Sequence, residues 1–378
     1  MSQNILITGG AGFIGSRLSN KLLHIGHNVK VLDNLSPQVH GTSPELSPLF
    51  LSLHPNVEFI HGSVTCKNDL MVALDGIDTV VHLAAETGTG QSMYAIQHYS
   101  DINISGIALL LDLIANQSLP VKKIVVASSR AVYGEGKYRC AQHNFVYPSP
   151  RFLGDMEQGD FEAHCPLCGG DAELVATDEE SPRHPSSIYG ITKLTQEQLV
   201  LNVGRALGIS AIAFRYQNVY GPGQSLLNPY TGILSIFSTC IRNKSPINIF
   251  EDGRESRDFV YIDDVVSVTA QAVKYDKPLI DTFNVGSGVS TDVFTIAKTL
   301  QKLLGIKVST SVSGQFRVGD IRHNFADLSK VRRVFGFEPK VSIEAGLANF
   351  VNWVRSEDVQ VDRYEESLQE MKSKGLFK

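Results

Sequence analysis

The sequence has few cysteines, no long apolar run and no excess of positive charge, and each absence excludes a class of protein. Five scattered cysteines in 378 residues argue against a disulfide framework and for a reducing compartment. No apolar run reaches the ~18 residues that a membrane-spanning helix needs, and Met1–Asn4 lead into a strand-like segment without the charged start of a secretory signal. A net charge of −5 provides no broad basic face for nucleic acid. We therefore expect a cytoplasmic globular protein that binds neither membranes nor nucleic acid.

The first half of the chain alternates short apolar runs with helix-like segments. The runs that read as buried strands are Ile5–Ile7, Val29–Leu32, Val57–Ile60, Thr79–Leu83 and Ile124–Ala127, followed later by Ile212–Phe214 and Phe283–Val285. The helix-like segments between them are Leu18–Ile25, Leu70–Leu74 and Ile107–Ala115. This alternation predicts an α/β fold, a Rossmann-type doubly wound parallel sheet with helices on both faces.

Changes of pattern divide the rest of the chain. We predict that residues 1–220 form the sheet domain, that 258–285 return to it, and that 221–378 form mainly a smaller C-terminal α/β lobe. Residues 135–188 look like an insertion, because this stretch of 54 residues carries three of the five cysteines. The charged segment from Arg355 to Lys378 is predicted to be a surface helix with a frayed end.

A glycine-rich loop joins the first strand to the first helix. It reads Thr8-Gly9-Gly10-Ala11-Gly12-Phe13-Ile14-Gly15. Gly9 permits a tight turn, Gly12 lets the backbone approach a pyrophosphate, and Gly15 lets the helix pack on the strand. Free N–H groups at the start of the helix suit phosphates. The alternative for the loop alone is a glycine-rich turn without a ligand.

Asp33 ends the second strand, 18 residues after Gly15. A carboxylate there can accept hydrogen bonds from an adenosine ribose and repels a 2'-phosphate. Together with the loop and its strand–helix context, Asp33 predicts NAD rather than NADP as the cofactor.

A tyrosine and a lysine at helical spacing form a candidate catalytic pair. Tyr189 and Lys193 are four residues apart, so on a helix they share one face. A free tyrosine has a pKa of about 10, and a nearby ammonium together with the nicotinamide charge would favour its phenolate near pH 7. Ser129 would hydrogen-bond the reacting oxygen and orient or relay its proton. We predict Ser129, Tyr189 and Lys193 as the catalytic residues.

These segments resemble a known family. Tyr189–Lys193 and Ser128–Gly134 resemble the catalytic segments of the extended short-chain dehydrogenase/reductase family, in particular its NAD-dependent sugar-nucleotide epimerases. His82–Ala85 and Asn103 resemble family positions beside the cofactor, whereas Ser63 stands where the family has an aspartate near the adenine. The cofactor-binding residues that follow are Gly9, Gly12, Phe13, Ile14, Gly15, Asp33, Asn34, Ser63, Val64, Leu83, Ala84, Ala85, Asn103, Tyr189 and Lys193.

The resemblance implies a nucleotide-sugar substrate, bound partly by the C-terminal lobe. Asn218 matches the family asparagine that meets the nucleotide diphosphate. Arg257 and Arg317 stand in segments that supply arginines to the diphosphate or ribose, and their forked donors suit phosphate. Solvated surface charge is the alternative for each arginine. With Ser129 and Arg130, these are the predicted substrate-binding residues.

The residues that follow Ser129 reduce the number of family reactions that this chain is expected to catalyse. The family's 4,6-dehydratases carry an Asp-Glu pair there, whereas this chain has Arg130 and Ala131, and Asp33 disfavours the NADPH-dependent reductases. The resemblance therefore implies reversible 4-epimerisation through a 4-keto intermediate. UDP-hexose 4-epimerase and UDP-glucuronate decarboxylase activities are the alternatives. The alternative that is not an enzyme is a non-catalytic NAD sensor, and the presence of all three predicted catalytic residues argues against it.

The cysteines of the insertion have the spacing of a zinc knuckle. Cys165 and Cys168 place two thiolates for one structural metal, with Cys140 as a candidate third ligand and His143 or His164 as a fourth. A metal-free loop with reduced thiols is the alternative. Acidic residues around the knuckle argue against a nucleic-acid site.

The insertion also refines the resemblance. Together with Asn228-Pro229-Tyr230-Thr231-Gly232, it resembles a subgroup of dTDP-L-rhamnose 4-epimerases. This implies a dTDP-6-deoxyhexose substrate and precursor supply for surface polysaccharide. The family further implies a homodimer formed through helices near Asp101–Ala115 and Tyr189–Leu207.

Overall fold

The computed structural model describes residues 2–228, 230 and 232–378. Pro229 and Thr231, which belong to one of the segments that resemble the subgroup, lie outside the described residues. No helix among those described is long and apolar enough to cross a membrane.

A seven-stranded parallel sheet forms the centre of the molecule, which confirms the predicted fold class. Its strands, in spatial order, are Ile280–Val285, Ser210–Tyr216, Lys123–Ser129, Thr79–His82, Asn4–Thr8, Asn28–Asp33 and Glu58–His61. Side chains alternate between two cores, because Ile5 and Ile7 pack on one face and Leu6 packs on the other. Burial on both faces explains why the strands are continuous apolar runs in the sequence.

Helices cover both faces of this sheet. Phe13–His24 and Ile262–Lys274 contribute to the core that contains Ile5. Lys67–Leu74, Gly106–Asn116 and Ile188–Leu207 contribute to the core that contains Leu6. The other α-helices are Pro37–His40, Pro48–Leu51, Thr89–Ser92, Ile96–Ser100, Leu153–Glu157, Ile233–Arg242, Val293–Leu304, Ser329–Phe335, Ile343–Ser356 and Tyr364–Ser373, with 3-10 turns at Pro44–Leu46 and Arg130–Tyr133 and a π-helical turn at Asp101–Ser105.

Smaller sheets lie outside the seven-stranded sheet. Asn218–Tyr220, Ser256–Tyr261 and Ser290–Asp292 lie side by side, with His323–Asn324 paired to Ser256–Tyr261. Ile247–Ile249 pairs with Thr310–Val312. Within the predicted return segment 258–285, helix Ile262–Lys274 and strand Ile280–Val285 belong to the main sheet layers, whereas Ser256–Tyr261 belongs to one of the smaller sheets.

The insertion has a fold of its own. Asn144–Val146, Tyr138–Cys140 and Ala172–Leu174 form an antiparallel sheet. Tyr138, Cys140 and Cys165 are among the buried residues of its small separate core.

The charged segment from Arg355 onward is packed, so the prediction of a frayed end is wrong. Leu368 and Met371 of helix Tyr364–Ser373 are buried. Phe377 is also buried and pairs with Arg317, and the backbone N–H of Lys378 donates to Phe316 O at 3.0 Å. Charged residues between these apolar positions concealed the buried face in the composition.

Candidate active site

A cavity of about 520 Å³ opens at the carboxyl ends of the main strands, where ligands bind in doubly wound sheets. All predicted catalytic and substrate-binding residues line it, and so do all predicted cofactor residues except Asn103.

The structure places Asn103 behind the cavity. Its Oδ1 accepts a hydrogen bond from Glu86 N at 2.8 Å, and its Nδ2 donates to Glu86 O at 3.0 Å and to Thr192 Oγ1 at 3.0 Å. The side chain is fully buried, and its contacts hold the cavity loop to the helix that carries Tyr189.

The glycine loop leaves room only for backbone at one end of the cavity. Gly9 has φ +69°, and a Cβ there would lie 2.7 Å from Ala84 N. A Cβ on Gly15 would lie 2.4 Å from Gly9 O. A Cβ on Gly12 meets only Gly9 O at 3.3 Å, so Gly12 faces the open space. This cradle fits a pyrophosphate approaching the helix N-terminus.

Asp33 fixes the loop and retains acceptor capacity. Its Oδ2 accepts from Ala11 N at 3.0 Å and its Oδ1 accepts from Leu35 N at 2.9 Å. A carboxylate oxygen has a second lone pair, so Asp33 can also accept from ribose hydroxyls. The residues present therefore fit NAD.

The helix Ile188–Leu207 presents the predicted catalytic pair, Tyr189 and Lys193. It begins where Ser187 Oγ accepts a hydrogen bond from Gly190 N at 3.1 Å. The buried Lys193 Nζ donates to Ala127 O and to Gln196 Oε1, both at 2.9 Å. Burial lowers the pKa of Lys193 to about 7, since a charged amine is costly in this environment.

Tyr189 is influenced by a different cation from the one expected. Burial raises its pKa, while a hydrogen bond with Ser129 and the positive charge of Arg130 act in the opposite direction. From the sequence, stabilisation of the Tyr189 phenolate is expected from the ammonium of Lys193 together with the nicotinamide charge. In the protein alone, Arg130 is the charged side chain that favours the phenolate.

Three arginines converge at the other end of the cavity. Arg130 Nε donates to Asn218 Oδ1 at 2.8 Å, and among the described residues no carboxylate lies within ion-pair distance of Arg130. Arg257 and Arg317 both contact Asp320, at 3.2 Å and 3.0 Å.

Asp320 is the one carboxylate shared by two of these arginines. Burial opposes its ionisation, but Arg317, Arg257 and Arg130 hold its pKa well below its usual range. Burial and Arg257 lower the pKa of Arg130 to about 10. Positive charge therefore exceeds negative charge here, as a site for an anionic ligand requires.

Several cavity residues carry no local sequence signal. Glu255 is 8% exposed, and its Oε2 has no hydrogen-bond partner among the described residues. Burial raises the pKa of Glu255 to about 7. Asn248 and Tyr364 also line the cavity. Each stands in a short or charged segment without a motif, so sequence reasoning missed them.

The cysteine cluster lies apart from the cavity lining. The ligand atoms of Cys140, His143, Cys165 and Cys168 are all within 4.8 Å of one another. Of the two candidate fourth ligands, His143 is the one in the cluster, at 3.6 Å from Cys140 Sγ. His164 instead contacts Asp160 Oδ2 at 2.8 Å.

The sheet, the glycine cradle and the Ser-Tyr-Lys set define a Rossmann-type enzyme that uses a dinucleotide. The model of the NAD dependent epimerase/dehydratase family matches residues 5–150 and 166–286, interrupted only inside the insertion. The chain therefore belongs to this family, among its NAD-dependent sugar-nucleotide epimerases.

Individual relatives agree with this assignment. The dTDP-L-rhamnose 4-epimerase of Burkholderia thailandensis is 37% identical over 94% of this chain and 96% of its own length. The UDP-glucuronate 4-epimerase of Thermodesulfobacterium geofontis is 31% identical over 92% of this chain and 95% of its own. The structure of UDP-glucuronic acid 4-epimerase from Bacillus cereus with UDP-glucuronic acid and NAD superimposes with a TM-score of 0.76, at 27% identity over 93% of this chain and 99% of that one.

Proposed function

We propose that this epimerase inverts C4 of a dTDP-6-deoxyhexose such as dTDP-L-rhamnose. The observation that carries the reaction class is the convergence of the glycine cradle, Ser129–Tyr189–Lys193 and three arginines in one cavity. The sugar is proposed from the similarity to the Burkholderia enzyme, which extends over nearly the full length of both chains.

The side chains divide the work between proton transfer and anchoring. Tyr189 removes the proton of the C4 hydroxyl, and Ser129 hydrogen-bonds the same oxygen. The glycine loop and Asp33 would hold NAD, which would supply a reversible acceptor for the hydride of C4. Asn218 and the arginines hold the diphosphate, so the keto-sugar can rotate within the site without dissociating.

The alternative activities differ in what is lost from the substrate. A UDP-hexose 4-epimerase would require a different nucleotide, and a UDP-glucuronate decarboxylase would release carbon dioxide. Arg130 and Ala131, beside Ser129, offer no carboxylate for acid–base elimination, which favours epimerisation over dehydration.

Product analysis tests the proposed function. The purified enzyme is incubated with dTDP-L-rhamnose, UDP-glucose, UDP-GlcNAc or UDP-glucuronate in deuterated buffer, and products are followed by NMR. We expect the C4 epimer of dTDP-L-rhamnose without deuterium at C4 and without net consumption of NAD. Faster epimerisation of a UDP-sugar, or release of carbon dioxide, would overturn the proposed substrate.

We also propose that the cysteine cluster binds one structural zinc ion. Tetrahedral zinc with bonds of about 2.3 Å to sulfur separates its thiolates by about 3.8 Å, and Cys140 Sγ and Cys168 Sγ are 3.8 Å apart. Three cysteines and one histidine form a closed ligand set. Metal analysis of protein purified without chelators is expected to give one zinc per chain, and Cys165→Ser is expected to lose it. A metal-free wild-type protein would contradict this proposal.

We further propose that the protein is a cytoplasmic homodimer. In each chain, residues 1–220 and 258–285 would bind NAD, and the rest of 221–378 would mainly bind the substrate. Helices Gly106–Asn116 and Ile188–Leu207 carry the proposed contact, and Ile191 on the second helix is 45% exposed. Sedimentation of wild type and of Ile191→Glu tests it, because only a dimer formed through this face would dissociate.

A further inference from the structure

The insertion packs against the chain segment that carries two of the substrate-site residues, Arg317 and Asp320. Phe161 of the insertion contacts Phe316 ring to ring, with centroids 6.2 Å apart. Ser186 Oγ donates to Gly319 O at 2.9 Å. The insertion therefore reaches the substrate end of the cavity, although its cysteine cluster does not line it.

Arg151 connects the insertion to this segment by hydrogen bonds on both sides of the contact. Its Nε donates to Glu135 Oε1 at 3.1 Å and its Nη1 to Phe161 O at 3.0 Å, both within the insertion. Its Nη2 donates to Glu251 Oε1 at 2.8 Å and to Asp320 O at 3.1 Å, both in the C-terminal lobe. The side chain is only 4% exposed, so all these bonds are shielded from water.

Glu135 continues the connection to the same backbone. Its Oε2 accepts a hydrogen bond from Arg322 N at 2.8 Å. Together, Arg151 and Glu135 hold Asp320 O and Arg322 N, and thereby fix both ends of residues 320–322.

Residues 320–322 in turn orient Arg257. Arg257 Nη1 donates to Arg322 O at 2.9 Å, and its Nη2 donates to Ile321 O at 2.8 Å and to Asp320 Oδ1 at 3.2 Å. Asp320 Oδ2 pairs with Arg317 at 3.0 Å. A shift of this backbone would therefore move both arginines.

Fixed backbone acceptors matter here because the arginines repel one another. Arg130, Arg257 and Arg317 surround one carboxylate, and without a ligand their mutual repulsion favours separation. The charge of Arg151 itself is balanced by Glu135 and Glu251, so Arg151 contributes geometry rather than attraction for an anion.

We infer that Arg151 is a positioning residue through which the insertion holds Arg257 and Arg317 in place for the diphosphate of the substrate. This inference rests on the proposed role of these arginines in binding the nucleotide sugar. It assigns a function to residues 151–165, the stretch over which the family match is interrupted.

The test compares ligands that differ in phosphate. NAD-loaded wild type, Arg151→Lys and the control Lys137→Gln are titrated by calorimetry with dTDP and with thymidine. Lysine keeps the charge but cannot form the fork of bonds to Glu251 and Asp320 O. The ammonium of Lys137 pairs with Asp178 and lies over the ring of Phe145, and among the described residues it makes no hydrogen bond to residues 320–322. We expect Arg151→Lys to bind dTDP about tenfold more weakly, with thymidine binding and NAD content unchanged and Lys137→Gln like wild type.

Turnover gives a second readout. The loss of phosphate contacts is expected to raise KM for the nucleotide sugar about tenfold while kcat stays near wild type. Should Arg151→Lys fail to fold, Glu135→Gln tests the same step, because glutamine has one acceptor oxygen and cannot accept from both Arg151 Nε and Arg322 N.

The outcomes distinguish a failure of the proposed function from a failure of the positioning role of Arg151. Wild type that binds no dTDP would overturn the proposed function. Wild type that binds dTDP with an Arg151→Lys variant of equal affinity would overturn the positioning role alone. Equal weakening of dTDP, thymidine and NAD would also overturn it, since that pattern reports a general structural defect.

Discussion

The two ends of the cavity are built from different materials. At the cofactor end, Gly9, Gly12 and Gly15 belong to one loop, and Asp33 bonds the loop backbone directly. At the substrate end, Arg130, Asn218, Arg257 and Arg317 come from distant parts of the chain. Arg130 bonds Asn218, and Arg257 and Arg317 both pair with the partly buried Asp320. The spacing of residues in one segment is enough to specify a site that is formed by backbone atoms. A site that is formed by charged side chains also depends on the residues that surround each charge.

Tyr189 stands where the two ends meet, and its loss is the largest expected effect. Tyr189→Phe removes the base, so kcat should fall about 10²- to 10⁴-fold while NAD and dTDP still bind. Tyr138→Phe is the matched control, because the Tyr138 hydroxyl has no partner among the described residues. Turnover of dTDP-L-rhamnose by NMR checks both. Near-normal turnover in Tyr189→Phe would mean that another group is the base.

Two glycine variants sharpen the account of the cofactor end. Gly12 has ordinary extended backbone angles, φ −76° and ψ −177°, so Gly12→Ala should fold normally but bind NAD at least about tenfold more weakly. Gly15→Ala should instead lower the melting temperature, because its Cβ meets Gly9 O at 2.4 Å. NAD titration and thermal unfolding of both variants separate ligand approach from chain packing. Equal loss of stability in both variants would contradict this distinction.

Arg130 couples the substrate end to the base. Its positive charge favours the phenolate of Tyr189, so Arg130→Gln should raise the pKa of Tyr189 and move the acidic limb of the kcat profile to higher pH. Turnover at pH 7 should fall and recover as the pH is raised, while Arg130→Lys should keep the wild-type profile. A uniform loss at every pH would show that Arg130 acts only in binding.

Glu255 tests whether the substrate end is built for binding rather than stability. Its pKa in the folded protein is about 7, against 4.5 ordinarily, so between these values the native state binds more protons than the unfolded state. Its contribution to stability is therefore present below pH 4.5 and is lost as pH rises through about 7. Glu255→Gln should be more stable than wild type by about 3 kcal/mol at pH 8, with no difference at pH 4. Urea unfolding at both pH values measures this, and a variant that is less stable at pH 8 would contradict it.

The sequence was sufficient for the parts of the molecule that depend on local spacing. The parallel sheet followed from apolar runs, and the spacing of the glycines predicted the tight turn and close helix packing of the loop. Tyr189 and Lys193 share a face because they are four residues apart, and no long-range information was needed.

The remaining features depend on contacts between distant segments. Nothing local distinguishes His143 from His164 as a ligand, or shows that Arg151 bonds Asp320 O. The role assigned to Lys193 overlooked Arg130, whose proximity to Tyr189 arises from the fold. The sequence of helix Tyr364–Ser373 suggests an exposed helix because its four charged residues are interspersed with its four buried ones.

The length of chain between partners has a consequence for the order of folding. Asp33 and the loop nitrogen that it binds are 22 residues apart, whereas Arg151 and Asp320 are 169 apart and Glu135 and Arg322 are 187 apart. Closing the longer loops costs more conformational entropy and slows their formation. A refolding chain should therefore recover NAD binding before it recovers affinity for the nucleotide sugar, and pass through a species that holds the cofactor but has no assembled anion site.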